Sequence, residues 1–151
     1  MSKNNSKPEL PGWIAAHTKL YLEDPEKGHQ WDSTAVGGPG VLPTLLLFTR
    51  GRKSGEIRTL PLIYGKSGQS YVVIASKGGA PQHPAWYLNL QQDPECEIQV
   101  AHDRFRVRAR TSTGAERVAL WQQLVAIYPP YSDYQAATSR QIPVVVLEPS
   151  A

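Results

Sequence analysis

The chain has 151 residues, a single cysteine, and a net charge of +3 from 16 Lys and Arg against 13 Asp and Glu. That length supports one hydrophobic core and leaves no room for a separate substrate domain. The small charge excess favours a local anion site over a surface that coats nucleic acid, and Cys96 alone excludes an internal disulfide or a cysteine-built zinc site.

Residues 1–8 are polar and lack the apolar stretch of a secretion signal, so a cytoplasmic protein is expected. Trp13, Ile14, His17, Leu20 and Tyr21 recur at helical spacing and predict an amphipathic helix over 13–22, ending before Asp24-Pro25. Its apolar face needs a partner, either the rest of the chain or a membrane surface, where it would give a peripheral attachment. Residues 23–43 turn to Gly, Pro and charge, including Gly37-Gly38-Pro39-Gly40, and read as a long loop. We therefore expect an N-terminal extension over 1–43 and a main domain over 44–151.

Strands are predicted at 44–50, 56–64 and 69–76, with turns at 51–55 and 66–68, giving an antiparallel meander. Residues 83–92 break the strand pattern: Pro84 suits a first helical turn, and Trp86, Tyr87 and Leu90 repeat at helical spacing. A hairpin follows over 96–101 and 104–109 around His102-Asp103, in which Phe105, Val107 and Ala109 alternate with Arg104, Arg106, Arg108 and Arg110; the arginine side reads as a solvated face. Ser112 or Thr113 caps a helix over 115–127 with Val118, Trp121, Leu124 and Val125 inward, and Pro129-Pro130 ends it. A further helical turn over 132–139 precedes an apolar strand over 142–147 that is central or closes a barrel. The total is about six antiparallel strands with peripheral helices, a mainly-β α+β chain, and the missing βαβ alternation excludes a doubly wound sheet.

Two basic, glycine-bounded turns carry the chemistry. The first is Arg50-Gly51-Arg52-Lys53-Ser54-Gly55, with Arg58 just beyond it; the second is Ala75-Ser76-Lys77-Gly78-Gly79. Planar arginine forks suit carboxylates and phosphate, and paired glycines let backbone N–H groups approach an anion. Each turn alone also fits a plain solvated loop. Neither is a nucleotide P-loop, because Arg52 stands where that motif needs glycine, and no helix opens after spaced glycines as in a dinucleotide fold. Tyr128, Tyr131 and Tyr134 lie three apart, which gathers three phenols on roughly one side of a helical segment, for packing or for proton donation. Ser76 has no nucleophile-elbow context, and His83 and His102 have no second ligand at metal spacing.

From about residue 44 to 149 these residues, in this order, resemble the deazaflavin-dependent nitroreductase family, whose members use coenzyme F420. The match takes in both turns, the run His83-Pro84-Ala85-Trp86-Tyr87-Leu88-Asn89-Leu90, and the late tyrosines. The resemblance implies a split β-barrel of the flavin-reductase type. It implies coenzyme contacts at Arg52, Lys53, Arg58, Tyr64, Ala75, Ser76, Lys77, Gly78, Gly79, Pro84 and Trp86. Ser76 would face the deazaflavin ring, and Tyr128, Tyr131 and Tyr134 would line the acceptor pocket, with Tyr131 the first choice for a functional phenol. Read from the residues alone, Ser76 is equally a strand-end serine bonding local backbone, and Tyr64 a core or rim aromatic. The implied function is hydride transfer from reduced F420 to a quinone, an activated enone or a nitro compound, without a metal or a nucleic-acid partner, in a monomer or weak dimer of an F420-making organism, commonly an actinobacterium. The alternatives are an FMN- or haem-binding split barrel and a non-catalytic F420 carrier.

Overall fold

Period-two alternation of apolar residues drives the fold, and the computed structural model, which describes residues 12–150, contains eight antiparallel strands. They are β1 (Gln30–Asp32), β2 (Val41–Arg50), β3 (Ile57–Ile63), β4 (Gly65–Ser67), β5 (Ser70–Ile74), β6 (Glu95–Val100), β7 (Asp103–Thr111) and β8 (Val144–Pro149). The lateral order is β1-β2-β6-β7-β8-β5-β4, with β3 also paired to β2. Strands β1 and β3 divide one edge of β2, opposite Val41–Pro43 and Thr44–Arg50 respectively. Strand β3 packs against β5 without a hydrogen-bonded ladder between them, which leaves the barrel split along that seam. As an edge strand, β3 accommodates Pro61 because no neighbour on the open side needs its missing N–H.

Inward residues of five strands meet in one cluster: Leu45, Leu47, Val73, Cys96, Ile98, Val107, Val145 and Leu147, capped by Trp86, Tyr87 and Leu90. The outward residues of β5 and β8, Val72, Ile74, Val144 and Val146, are covered by helices α4 (Gly114–Ile127) and α5 (Pro130–Ala136). This explains the unbroken apolar run of β8, which is buried on both faces and lies between β5 and β7. Helix α3 (Ala85–Gln92) closes the end of the barrel at which β2 gives way to the Gly51–Gly55 turn.

Several expectations are corrected. The strands number eight rather than about six, because β1 and β4 have three residues each and are too short to show a period. The stretch read as a long loop holds helix α2 (Pro25–His29), β1 and a 3-10 turn over Thr34–Val36, and β2 begins at Val41 rather than at residue 44. Val118 faces outward, 57 % exposed, and the buried face of α4 is carried by Leu120 and Leu124. The expected cap also fails to form there: Thr113 occupies the N-cap position without a side-chain bond, and Ser112 Oγ donates to the Val144 carbonyl at 2.9 Å.

Helix α1 (Gly12–Glu23) docks on the barrel through Tyr21, which is fully buried. Its hydroxyl donates to the Thr44 carbonyl at 2.7 Å and accepts from the Ala101 N–H at 2.9 Å, with the Gln99 carbonyl at 3.2 Å. Residue 28 must be glycine, since a Cβ there would lie 2.3 Å from the Tyr21 Cα. Trp13, Leu20 and Leu22 of the same helix remain exposed, and no described helix is long and apolar enough to cross a membrane. The β7 arginines form the expected solvated face, and they are ion-paired on it: Arg104 meets Glu97 at 2.8 Å, Arg108 pairs with Glu95, and Arg110 reaches Glu116 of α4 at 2.7 Å and Glu148 at 3.0 Å.

Candidate functional site

Strand register puts both basic turns at the same end of the barrel. Arg50 lies opposite Ile57 at the first turn, and across the sheet Thr111 lies opposite Val145 while Val144 lies opposite Ile74, the last residue of β5 before the second turn. Helix α3 lies between them, with Asn89 reaching the first turn and the Tyr87 hydroxyl 2.8 Å from Thr111 Oγ1.

The first turn is shaped by Asn89. Its Oδ1 accepts from both the backbone N–H and the guanidinium of Arg52, each at 3.1 Å, and its Nδ2 donates to Thr49 Oγ1 at 3.1 Å. Arg58 donates to Ser54 Oγ at 3.2 Å and lies 3.5 Å from Glu56. Arg52 and Lys53 line an open cavity of about 560 Å3 with Arg50, Ser54, Gln92 and Asp93. That donor set fits an anionic group, and Asp93 is its one carboxylate.

The second turn is a 3-10 segment, Lys77–Gly79, in which all three residues have positive φ: 47° at Lys77, 64° at Gly78 and 84° at Gly79. Its Gly79 and Ala80 N–H groups bond back to Ser76 and Lys77, so the Lys77 and Gly78 N–H groups stand at the start of the turn, where the ladder does not use them. Lys77 and Gly78 are exposed, Ser76 is half-buried and Ala75 is buried. Gly79 backs directly onto α5: a Cβ there would lie 2.7 Å from the Tyr134 carbonyl oxygen.

The three tyrosines come together. Tyr131 is buried and packs edge-on against Tyr128 at 4.9 Å, while the Tyr128 and Tyr134 hydroxyls are hydrogen-bonded at 3.2 Å. Tyr134 is only half-buried. Burial, then the bond to Tyr134, raises the Tyr128 phenol above the usual tyrosine range, and burial raises Tyr131 further. Trp86 is 5 % exposed and sits in the barrel core, with Pro84 at the N-cap of its helix. Tyr64 lies at the opposite end of the barrel from both turns, its ring in the core and its hydroxyl 2.8 Å from His29 Nε2. A ligand touching the turns and Tyr64 therefore runs along β3, roughly 23 Å at ~3.3 Å per residue.

Two residues escaped sequence reasoning. His29 gave no signal because α2 was unrecognised. Arg140 gave none because its partners lie 57 to 65 positions away; it donates to Ala75 O at 3.3 Å, Ser76 O at 2.7 Å and Ala80 O at 2.8 Å, and to His83 Nδ1 at 3.0 Å.

The model of the F420H(2)-dependent quinone reductase family matches residues 23–149. This chain belongs to that family. An F420H(2)-dependent quinone reductase of Mycobacterium tuberculosis is 44 % identical over 112 residues, covering 72 % of this chain and 75 % of the relative. Among solved structures, the F420-H2 dependent reductase FDR-A is 40 % identical with a TM-score of 0.65, over 70 % of this chain and 94 % of that one. A second, described as a domain-swapped dimer, is 35 % identical with a TM-score of 0.68, over 90 % and 97 % of the two chains. The mainly-β split barrel expected from the sequence is thus the fold of this F420H(2)-dependent quinone reductase family member, an oxidoreductase family.

Proposed function

We propose that this chain binds coenzyme F420 along the seam between β3 and β5 and reduces a quinone. The observation that carries the reading is the close approach of Gly79 to the Tyr134 backbone, which sets an anion-suited turn against the helix that carries one of two paired phenols. When bound, reduced F420 supplies the hydride. Arg52, Lys53 and Arg58 hold the anionic tail, and the Lys77 and Gly78 N–H groups bind a second anionic or carbonyl oxygen. Ala75, Ser76 and Pro84 form the adjoining wall, Tyr64 borders the far end of the groove, and Trp86 and Tyr131 support it from the core. Tyr128 and Tyr134 hold a proton at Oη and donate a hydrogen bond to the acceptor oxygen; the raised Tyr128 phenol keeps its proton until charge develops there. Quinones come first among acceptors because they are what the relatives are named for; activated enones and nitro compounds share the electrophilic centre.

The decisive experiment titrates the apo protein with oxidised F420 by fluorescence, with FMN and haem as comparison ligands, and then follows quinone reduction. Selective F420 binding with turnover is expected. Preference for FMN or haem sinks the reading, and F420 binding without turnover leaves a carrier. The half-buried Tyr134 marks the phenol to test first: Tyr134→Phe should lower kcat about 10- to 100-fold with little change in F420 affinity, and an unaltered rate removes the phenol pair from the chemistry. The dimer described for the 35 % identical structure supports a weak dimer here. A peripheral membrane contact rests only on exposed Trp13, Leu20 and Leu22, and vesicle co-sedimentation with and without residues 1–23 decides it.

A further inference from the structure

Arg140 lies outside both basic turns and is absent from the family-implied contacts. Its guanidinium nevertheless donates to three carbonyls of one six-residue segment, Ala75, Ser76 and Ala80, and to His83 Nδ1 just beyond it. The acceptors bracket the Lys77–Gly79 turn on both sides. A planar fork of fixed donors is suited to this, whereas a lysine ammonium cannot span carbonyls pointing in from separate directions. The backbone of the arginine is fixed in turn, since Gln135 Nε2 donates to the Arg140 carbonyl at 2.8 Å and Gln135 Oε1 accepts from the Ile142 N–H at 3.0 Å. Burial disfavours the charged form of Arg140, but an arginine guanidinium is not deprotonated in proteins.

The turn needs such a brace. Lys77 adopts a left-handed conformation that a non-glycine residue rarely occupies, and two further left-handed residues follow it. Left to itself the segment would relax. Arg140 draws the Ala75, Ser76 and Ala80 carbonyls towards one cation, while the bonds that close the turn come from the Gly79 and Ala80 N–H groups. The same cation also backs the anion cradle with a half-buried positive charge.

We propose that Arg140 is a positioning residue for the coenzyme: it holds the Ser76–Ala80 segment in its anion-binding shape and acts through the backbone rather than by touching the ligand. This rests on the F420 reading above. It predicts that Arg140→Gln raises the dissociation constant and KM for F420 tenfold or more, a change of about 1.4 kcal/mol, while kcat at saturating coenzyme stays within a few-fold. Arg140→Lys, which keeps the charge but not the fork, should fall between wild type and Arg140→Gln.

The test measures F420 binding by fluorescence and amide exchange of residues 76–80 without ligand, in wild type, both Arg140 variants and Arg117→Gln. Arg117 is the structural control, because it also donates to a buried backbone carbonyl, Ile142 O at 2.7 Å, but away from the turn. The expected result is faster exchange at 76–80 and weaker F420 binding in the Arg140 variants only. Wild-type exchange and affinity in Arg140→Lys and Arg140→Gln overturn the proposal, as does an equal loss of affinity in Arg117→Gln, which would mark general destabilisation. Should Arg140→Gln not fold, Arg140→Lys against Arg117→Gln carries the comparison. Failure of wild type to bind F420 overturns the coenzyme reading and the positioning role together, whereas binding unchanged in the variants overturns the positioning role alone.

Discussion

Gly78 and Gly79 separate backbone strain from steric fit within one turn. Both have positive φ, but nothing lies within 4 Å of a Cβ built on Gly78, whereas one on Gly79 would press on Tyr134 at 2.7 Å. Gly78→Ala should therefore cost about 1 kcal/mol of stability, the left-handed penalty alone. Gly79→Ala should cost more, roughly 2–3 kcal/mol, and should displace α5 and weaken quinone turnover. Urea melts and steady-state rates check the pair, and equal effects of the two substitutions would break the link between turn and phenols. At this scale the sequence exposed the residues whose chemistry is local: Arg52 and Lys53 announce themselves in a basic turn, and three tyrosines at a spacing of three announce a cluster. His29 and Arg140 are single polar residues whose partners are distant in the chain, so nothing in their neighbourhood distinguishes them from surface residues.

At the scale of elements, α1 is held to the barrel by few but buried bonds. Tyr21→Phe keeps the ring and removes the hydroxyl, leaving the Ala101 N–H and the Thr44 carbonyl without that partner. The expected cost is about 1–3 kcal/mol, seen as a lower urea midpoint with an unchanged slope; a midpoint equal to wild type would mean that α1 does not depend on this bond. The long strands and α1, α3 and α4 were legible because each repeats its period several times. Strands β1 and β4 were not, because three residues hold no repeat, and the phase of α4 was misjudged at Val118 because a valine at helical spacing does not say which side is covered.

Across the whole molecule, pH acts through groups that burial keeps neutral. Desolvation pushes the Tyr21 hydroxyl up to about 12 from 10.0, and desolvation with nearby Glu95, Asp93 and Glu97 pushes the Cys96 thiol up to about 12 from 9.0. The folded state thus binds these protons more tightly than the unfolded chain, so their stabilisation is complete below pH 9.0 and is lost as pH rises towards about 12. The opposite sign holds for His29 and His83, whose pKa values burial lowers from 6.5, with Arg140 adding to the shift at His83. Their contribution is present above pH 6.5 and lost below it. Urea stability should therefore form a plateau between about pH 7 and pH 9 and fall on both sides; a continued rise above pH 10 would contradict the burial of Tyr21 and Cys96. The overall architecture was the most legible feature of all, since an antiparallel, mainly-β chain follows from alternation and a missing βαβ pattern, and the family resemblance implied its closure as a split barrel.

That strand has a consequence for how the protein is made. β8 is the last element in chain order among the described residues, yet it lies between β7 and β5, in the middle of the sheet. While a ribosome is still delivering residues 144–149, the half built from β2, β3, β6 and β7 has no ladder to the half built from β4 and β5, and α4 and α5 have half their apolar seat missing. The nascent chain therefore exposes an open, apolar seam until β8 emerges, and that interval is when it is most in need of a chaperone.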